Sequence, residues 1–260
     1  MTSISIITIC YNNLAELLKT CRSVDLQLKE PCQHIIIDGS TNNEIAVEFS
    51  KIMHPPYREL LSGPDSGIAD AFNKGILRAN GDIVMMLNSG DEFYDETVLG
   101  NVTDMFVNQP GISWLHGKYQ LTRSKRSVII GKPFAQNKLY RGMRSVSHQS
   151  MFVKRVLHEK YGLYDTKEKI AMDYDFLCRI AGEPFAFLSK PLITFAPGGT
   201  SSIHYLQSLK DAKRIYSRYF KSSVLLPFWQ FRLKVLYFLL KSPLGNLLYK
   251  IKLKLKMENM

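Results

Sequence analysis

In the first hundred residues short apolar runs alternate with helical spacing, and few architectures accommodate that alternation. Ile4–Cys10, His34–Asp38, Arg58–Ser62 and Asp82–Leu87 read as strands, each bounded by turn residues. Leu14–Leu28, Glu44–Met53 and Ile68–Ala79 read as the intervening helices, and Asn80-Gly81 stops the third. The pattern predicts an α/β fold with a doubly wound, mostly parallel sheet flanked by helices. The middle is less regular. Glu96–Asn108 is helical, Gly111–Tyr119 and Ser127–Ile130 are strands, and Lys132–Ser147 is a loop. A strand (Ser150–Val153), a helix around Ile170–Ala181 and two short strands (Phe185–Leu188, Leu192–Phe195) follow, before a flexible break at 198–202. A chain of 260 residues, 45% hydrophobic, suits one large domain with an appendage.

Charge divides the chain unevenly. Of the formal +11, the stretch from His204 onward holds +10, because twelve Lys and Arg face only Asp211 and Glu258. A nucleic-acid binder would carry a basic stripe across its folded domain, so nucleic acid is not an expected partner. The tail begins with a helix, His204–Phe220, followed by Val224–Leu240. That segment holds Pro227, Arg232 and Lys234 and is too short to span a bilayer. It reads as an amphipathic interfacial helix, with Trp229 and Tyr237 at headgroup level, or as a helix packed on the domain. The alternating Tyr249–Lys256 would add electrostatic attraction to an anionic membrane. The expected organisation is a domain over 1–205 and a basic helical tail over 206–260. The beginning of the chain lacks the basic leader of a signal peptide. Cys10, Cys21, Cys32 and Cys178 lack metal-finger spacing, so they read as reduced thiols of a cytoplasmic protein.

Four segments fall where such a sheet gathers its loops: Thr8–Asn13, Ile36–Thr41, Pro64–Gly75 and Asn88–Asp91. Ligands of open α/β sheets bind beyond the carboxyl ends of the strands. Asp91 ends a strongly apolar strand and can hold a hard cation carrying a substrate's phosphates, or simply close a turn. Asp38 can accept a hydrogen bond from a base imide, and Thr8, Tyr11 and Asn12 lie in the loop region available to base and ribose. No GxGxxG or GxxxxGK[ST] motif is present, which argues against a dinucleotide oxidoreductase or a P-loop NTPase.

These segments, with runs of the form DxGIxDAxNKGI and LNSGDxF, resemble glycosyltransferase family 2, inverting nucleotide-sugar transferases of the GT-A fold. The pattern is most like the bacterial polysaccharide, colanic-acid-type subgroup, over roughly residues 3–205. The resemblance implies that Asp38 contacts the base, and that Asp65, Asp70, Asn73, Lys74 and Asn88 line the donor pocket. It implies that Asp91 binds a divalent cation, Mn2+ or Mg2+. Asn88 and Gly90 stand where many members have Asp, so the metal site is thin. In Ala171–Arg179 it implies a catalytic base at Asp173, with Asp175 beside it and Met172 replacing a common Glu. His148 is implied at the diphosphate or acceptor, or else is structural, and the Gly-rich 198–202 would close over the donor. His204 is a further candidate ligand, and Arg141 and Arg144 can meet phosphates or be solvated.

The expected activity is transfer of one sugar from a UDP- or GDP-sugar to a lipid-linked oligosaccharide, for O-antigen or capsule, at the inner face of the cell membrane. The alternatives are a nucleotidyltransferase making a nucleotide sugar and a non-catalytic nucleic-acid binder. The first usually carries a glycine-rich basic loop after its first strand, and Tyr11-Asn-Asn13 is not one.

Overall fold

A computed structural model describes residues 2–123, 126–143, 146–196, 204–221, 223–242 and 245. Strands β1 (Ile4–Cys10), β2 (Gln33–Asp38), β3 (Arg58–Ser62) and β4 (Ile83–Met86) form a parallel half-sheet in the order β3-β2-β1-β4. Helices α1 (Leu14–Asp25), α2 (Glu44–Ser50) and α3 (Ile68–Arg78) make the crossovers. The chain runs outward from β1 to β3, then returns to the other side of β1, so a crevice opens at the carboxyl ends of β1 and β4.

Beyond β4 the nine-stranded sheet found among the described residues is mixed. After β5 (Glu92–Phe93) and α4 (Val98–Asn108) come β6 (Trp114–Arg123), β7 (Arg126–Ile130) and β8 (Met151–Lys154). β8 lies antiparallel to β4 and β6, while β9 (Phe185–Thr194) runs parallel to β6. Where two strands were expected, β9 is one. Its register against β6 slips near Pro191, which has no N–H to give the ladder. The expected loop 132–147 holds a short 3-10 helix, Gln136–Arg141, and the pattern did not reveal helix α5 (Val156–Tyr161).

Both sheet faces are covered, which is why β1 and β4 read as continuous apolar runs. Ile7, Val84 and Trp114 pack with Phe72 of α3 and Phe176 of α6 (Met172–Ile180) on one face. Ile6, Met85 and Phe152 pack with Leu99 and Phe106 of α4 on the other.

The basic tail divides in two. Helix α7 (Tyr205–Tyr219) belongs to the main core through fully buried Ile215, so packing does not break at 205. Its Arg214 meets Glu168 at 2.5 Å, and Arg218 reaches Glu168 at 3.0 Å and Asp175 at 3.1 Å. Helix α8 (Leu225–Lys241) buries Leu226, Gln230 and Leu233 and exposes most of its other apolar side chains. No helix among the described residues is long and apolar enough to cross a membrane. Trp229 is engaged by Arg141 and Arg232, and Tyr237 stacks on Tyr205 at 5.3 Å. Residues 246–260, with the alternating lysines, lie outside the described residues.

Candidate active site

The strand ends meet in register: Cys10 opposite Asp38, and Asp38 opposite Ser62. Asp38 is buried and ties the three loops together. Its Oδ1 accepts the Ser40 N–H at 3.0 Å and its Oδ2 accepts the Ser62 hydroxyl at 3.0 Å. Asn12 takes φ 51°, a left-handed conformation that Asn tolerates, and donates its N–H to Ser40 Oγ at 2.8 Å. Next to it the Tyr11 ring is 58% exposed, available to a planar ligand at the rim.

Asp65 lies against the end of β2. A Cβ at Gly39 would stand 1.9 Å from Asp65 Oδ2, so only glycine lets that carboxylate settle there. Asp65 also accepts the Gly67 N–H at 2.9 Å, where φ is +125°. Asp70 accepts the Ser66 N–H and pairs with Lys74 at 3.3 Å, and Lys74 donates to the Pro64 carbonyl. The Ser66 N–H, more than Lys74, holds the Asp70 carboxyl below its ordinary value. These two residues shape the loop entering α3.

Asn88–Asp91 sits deepest, at the switch point, where the Ser89 N–H bonds the Ile9 carbonyl. Thr20 locks the turn: its hydroxyl donates to the Asp91 carbonyl at 2.8 Å and accepts the Gly90 N–H at 2.8 Å. Asp91 is 4% exposed. Its Oδ1 accepts the Ala196 N–H at 2.8 Å and its Oδ2 accepts the Gln149 amide at 3.3 Å. Burial pushes its carboxyl up to about 6, against the pull of the Ala196 N–H, His148 and Gln149.

The segment before β8 joins this carboxylate to a second one. Ser147 donates to Gln149 Oε1 at 2.6 Å, which turns the amide nitrogen toward Asp91. His148 places Nδ1 3.2 Å from Oδ2 of Asp173, in the first turn of α6. His148 and Asp173 line a small cavity with Val84, Met86, Tyr164 and Phe176. Three buried polar atoms here have no partner among the described residues: Asn88 Oδ1, Ser89 Oγ and His148 Nε2. Buried polar groups are nearly always paired, so their gathering in one crevice points to a polar ligand.

Not every expected residue faces that crevice. Thr8 is fully buried in β1 and bonds His34 at 2.9 Å. Asn73 spends both ends of its amide on the backbone of Tyr164, at 2.8 and 2.9 Å. Asp175 is 1% exposed and turned inward, against Arg179, Arg218 and Tyr219. These three are structural ties. Arg141 lies over Trp229 and Tyr140, and His204 stands exposed at the N-terminal end of α7, where its side chain makes no capping bond. Arg144 and the 198–202 segment lie outside the described residues. Gln149 and Ser89 carry no signal of their own in the sequence; nothing in their spacing marks them apart from their neighbours.

No group of three His, Cys, Asp or Glu among the described residues could hold a metal ion. The oxygens near Asp91, its carboxylate with the unpaired Asn88 Oδ1 and Ser89 Oγ, nonetheless suit a hard cation that takes its other ligands from a substrate.

The sequence matches glycosyl transferase family 2 over residues 5–162. It is 33% identical over 182 residues to the protein called uncharacterized glycosyltransferase Rv1514c of Mycobacterium tuberculosis, covering 69% of each chain. The fold resembles Staphylococcus aureus TarS 1–349 in complex with UDP-GlcNAc (TM-score 0.64, 15% identity, 82% of this chain and 66% of that one). The chain spans 39% of a longer TarS chain. It also resembles the mannosyltransferase PcManGT from Pyrobaculum calidifontis in complex with GDP-Man and Mn2+ (TM-score 0.61, 16% identity, 98% and 81%). With a GT-A-like sheet and this match over more than half its length, the chain belongs to glycosyl transferase family 2 and is a glycosyltransferase.

Proposed function

We propose that this enzyme transfers a sugar from a UDP- or GDP-sugar to a hydroxyl of a lipid-linked oligosaccharide, with inversion, at the inner face of a bacterial cell membrane during surface-polysaccharide assembly. The observation that carries the reading is the line Asp91–Gln149–His148–Asp173 at the sheet's switch point, with three unpaired buried polar atoms beside it. The nucleotide sugars in complex with TarS and PcManGT support the donor class, and the Mn2+ of the latter supports a divalent cation.

Tyr11, Asn12 and Asp38 would receive the nucleoside, and Asp65 with Asn88 the sugar and diphosphate. Asp91 and Asn88 would hold the cation, which when bound neutralises charge on the departing nucleoside diphosphate. Asp173 takes the proton from the acceptor hydroxyl as its oxygen bonds the anomeric carbon and the bond to the diphosphate breaks. His148 fixes the direction of that carboxylate.

The test is a panel of nucleotide sugars scored for hydrolysis and transfer with and without Mn2+, then Asp173→Asn on the donor found. Transfer should fall about 10²-fold or more while donor binding, read by calorimetry, persists. A fully active Asp173→Asn enzyme would refute the base.

A further inference from the structure

Helix α8 presents two opposite faces. Inward, Leu226, Gln230 and Leu233 are buried, and the Gln230 amide donates to the Leu209 carbonyl at 2.6 Å. Outward, Phe228 and Phe231 are each 70% exposed, continuing along the helix through Val235 and Leu239. A contiguous apolar surface of this kind marks an interaction site.

A guanidinium stands within it. Arg232 lies one helical turn from Phe228 and from Val235 and Leu236, with its Cζ 5.2 Å from the centre of the Trp229 ring. Arg141, from the 3-10 helix at 136–141, reaches the same ring at 4.9 Å. Neither arginine has a carboxylate partner among the described residues, whereas Arg214 and Arg218 of α7 are ion-paired. Two cations sharing one indole lie within about a Debye length of each other and repel. Covering the surrounding apolar surface would desolvate them, which requires an anion.

We propose that the outward face of α8 docks on an anionic lipid bilayer, where Arg232 and Arg141 hold a lipid phosphate beside Trp229. Charge selects the occupant. The stretch from His204 onward carries +10 of the chain's +11, which suits an anionic surface and opposes a second copy of the same face. The helix is too short to cross the bilayer, so it lies in the interface with its guanidinium at phosphate level. The inference rests on the reading of a membrane-bound acceptor. Its test reads lipid binding and not sugar transfer, so either can fail alone.

The full chain is sedimented with vesicles of phosphatidylcholine, with and without phosphatidylglycerol, and with brominated lipid to quench tryptophan emission. Trp114 is fully buried in the core, so quenching reports Trp229. Binding and quenching should require phosphatidylglycerol. Arg232→Leu and Arg141→Leu should each weaken binding about tenfold, and Lys29→Gln, the same loss of charge elsewhere, should have little effect. The proposal is overturned by equal binding to pure phosphatidylcholine or by unchanged binding of both arginine variants. A loss in Lys29→Gln as large as theirs overturns it too, as does a dimer in solution that ignores vesicles.

Discussion

At the scale of the residue, Asp91 shows what burying a carboxylate costs. Its carboxyl titrates near 6 because it is buried, where an exposed Asp titrates at 3.8. Between those values the unfolded chain ionises Asp91 while the folded protein keeps the proton, so folding stability falls as pH rises, and above 6 the whole penalty remains. It amounts to roughly 2–3 kcal/mol. Asp91→Asn should therefore raise the melting temperature of the ligand-free enzyme by a few degrees at pH 7.5 and leave it unchanged at pH 4, while transfer is lost. An equal effect at both pH values would mean that ionisation is not the cause. Asp91 stands out in the sequence as an acid at a strand end, and Asp173 only through the family resemblance, since an acid opening a helix is common. Thr8 and Asn73 turn away from the crevice for one shared reason. Their motif neighbours face the crevice, but each donates or accepts inward, and which way a side chain turns depends on partners distant in sequence.

At the scale of the element, α6 does two jobs on opposite faces. Residues two apart on a helix point about 200° apart, so Asp173 and Asp175 cannot both face one site. Asp173 meets His148, and Asp175 is held by Arg179, Arg218 and Tyr219. The partner across the second face, α7, was hidden in a tail whose charge suggested solvent or lipid. Asp175→Ala leaves the mostly buried Arg179 with backbone carbonyls but no carboxylate, and should cost on the order of 3 kcal/mol in urea unfolding. Arg218→Leu removes a side chain that is 41% exposed and should cost about 1 kcal/mol or less. Equal losses in the two variants would show that the uncompensated charge of Arg179 is not what Asp175→Ala costs.

At the scale of the whole molecule, three buried histidines govern acid stability. Burial holds His34 well below its ordinary value, His116 down at about 4 and His158 at about 3. Above 6.5 both states are neutral; below it the unfolded chain binds protons that the folded protein refuses, so stability declines as pH falls. Asp91 works in the opposite direction over the same range, but it is one group against three. The unfolding free energy from urea titration should drop steadily from pH 6.5 to 4.5, by on the order of 2 kcal/mol for each of His116 and His158, with His34 acting in the same direction. His158 stacks on Phe176 at 4.3 Å with both ring nitrogens unpaired, so His158→Phe should flatten part of the slope. A free energy that stays level across that interval would contradict this account.

The local pattern by itself determined the parallel half-sheet and its crossover helices, because periodicity and turn residues are short-range properties. It also determined that polar loops gather around Asp91, since strand ends in such a sheet share one rim. Tertiary structure decided the mixed half of the sheet, the single strand β9 and the docking of α7. It alone decided that Gln149 and His148 link the two acids. Those outcomes depend on long-range pairing and on the direction of side chains, which residue spacing does not encode.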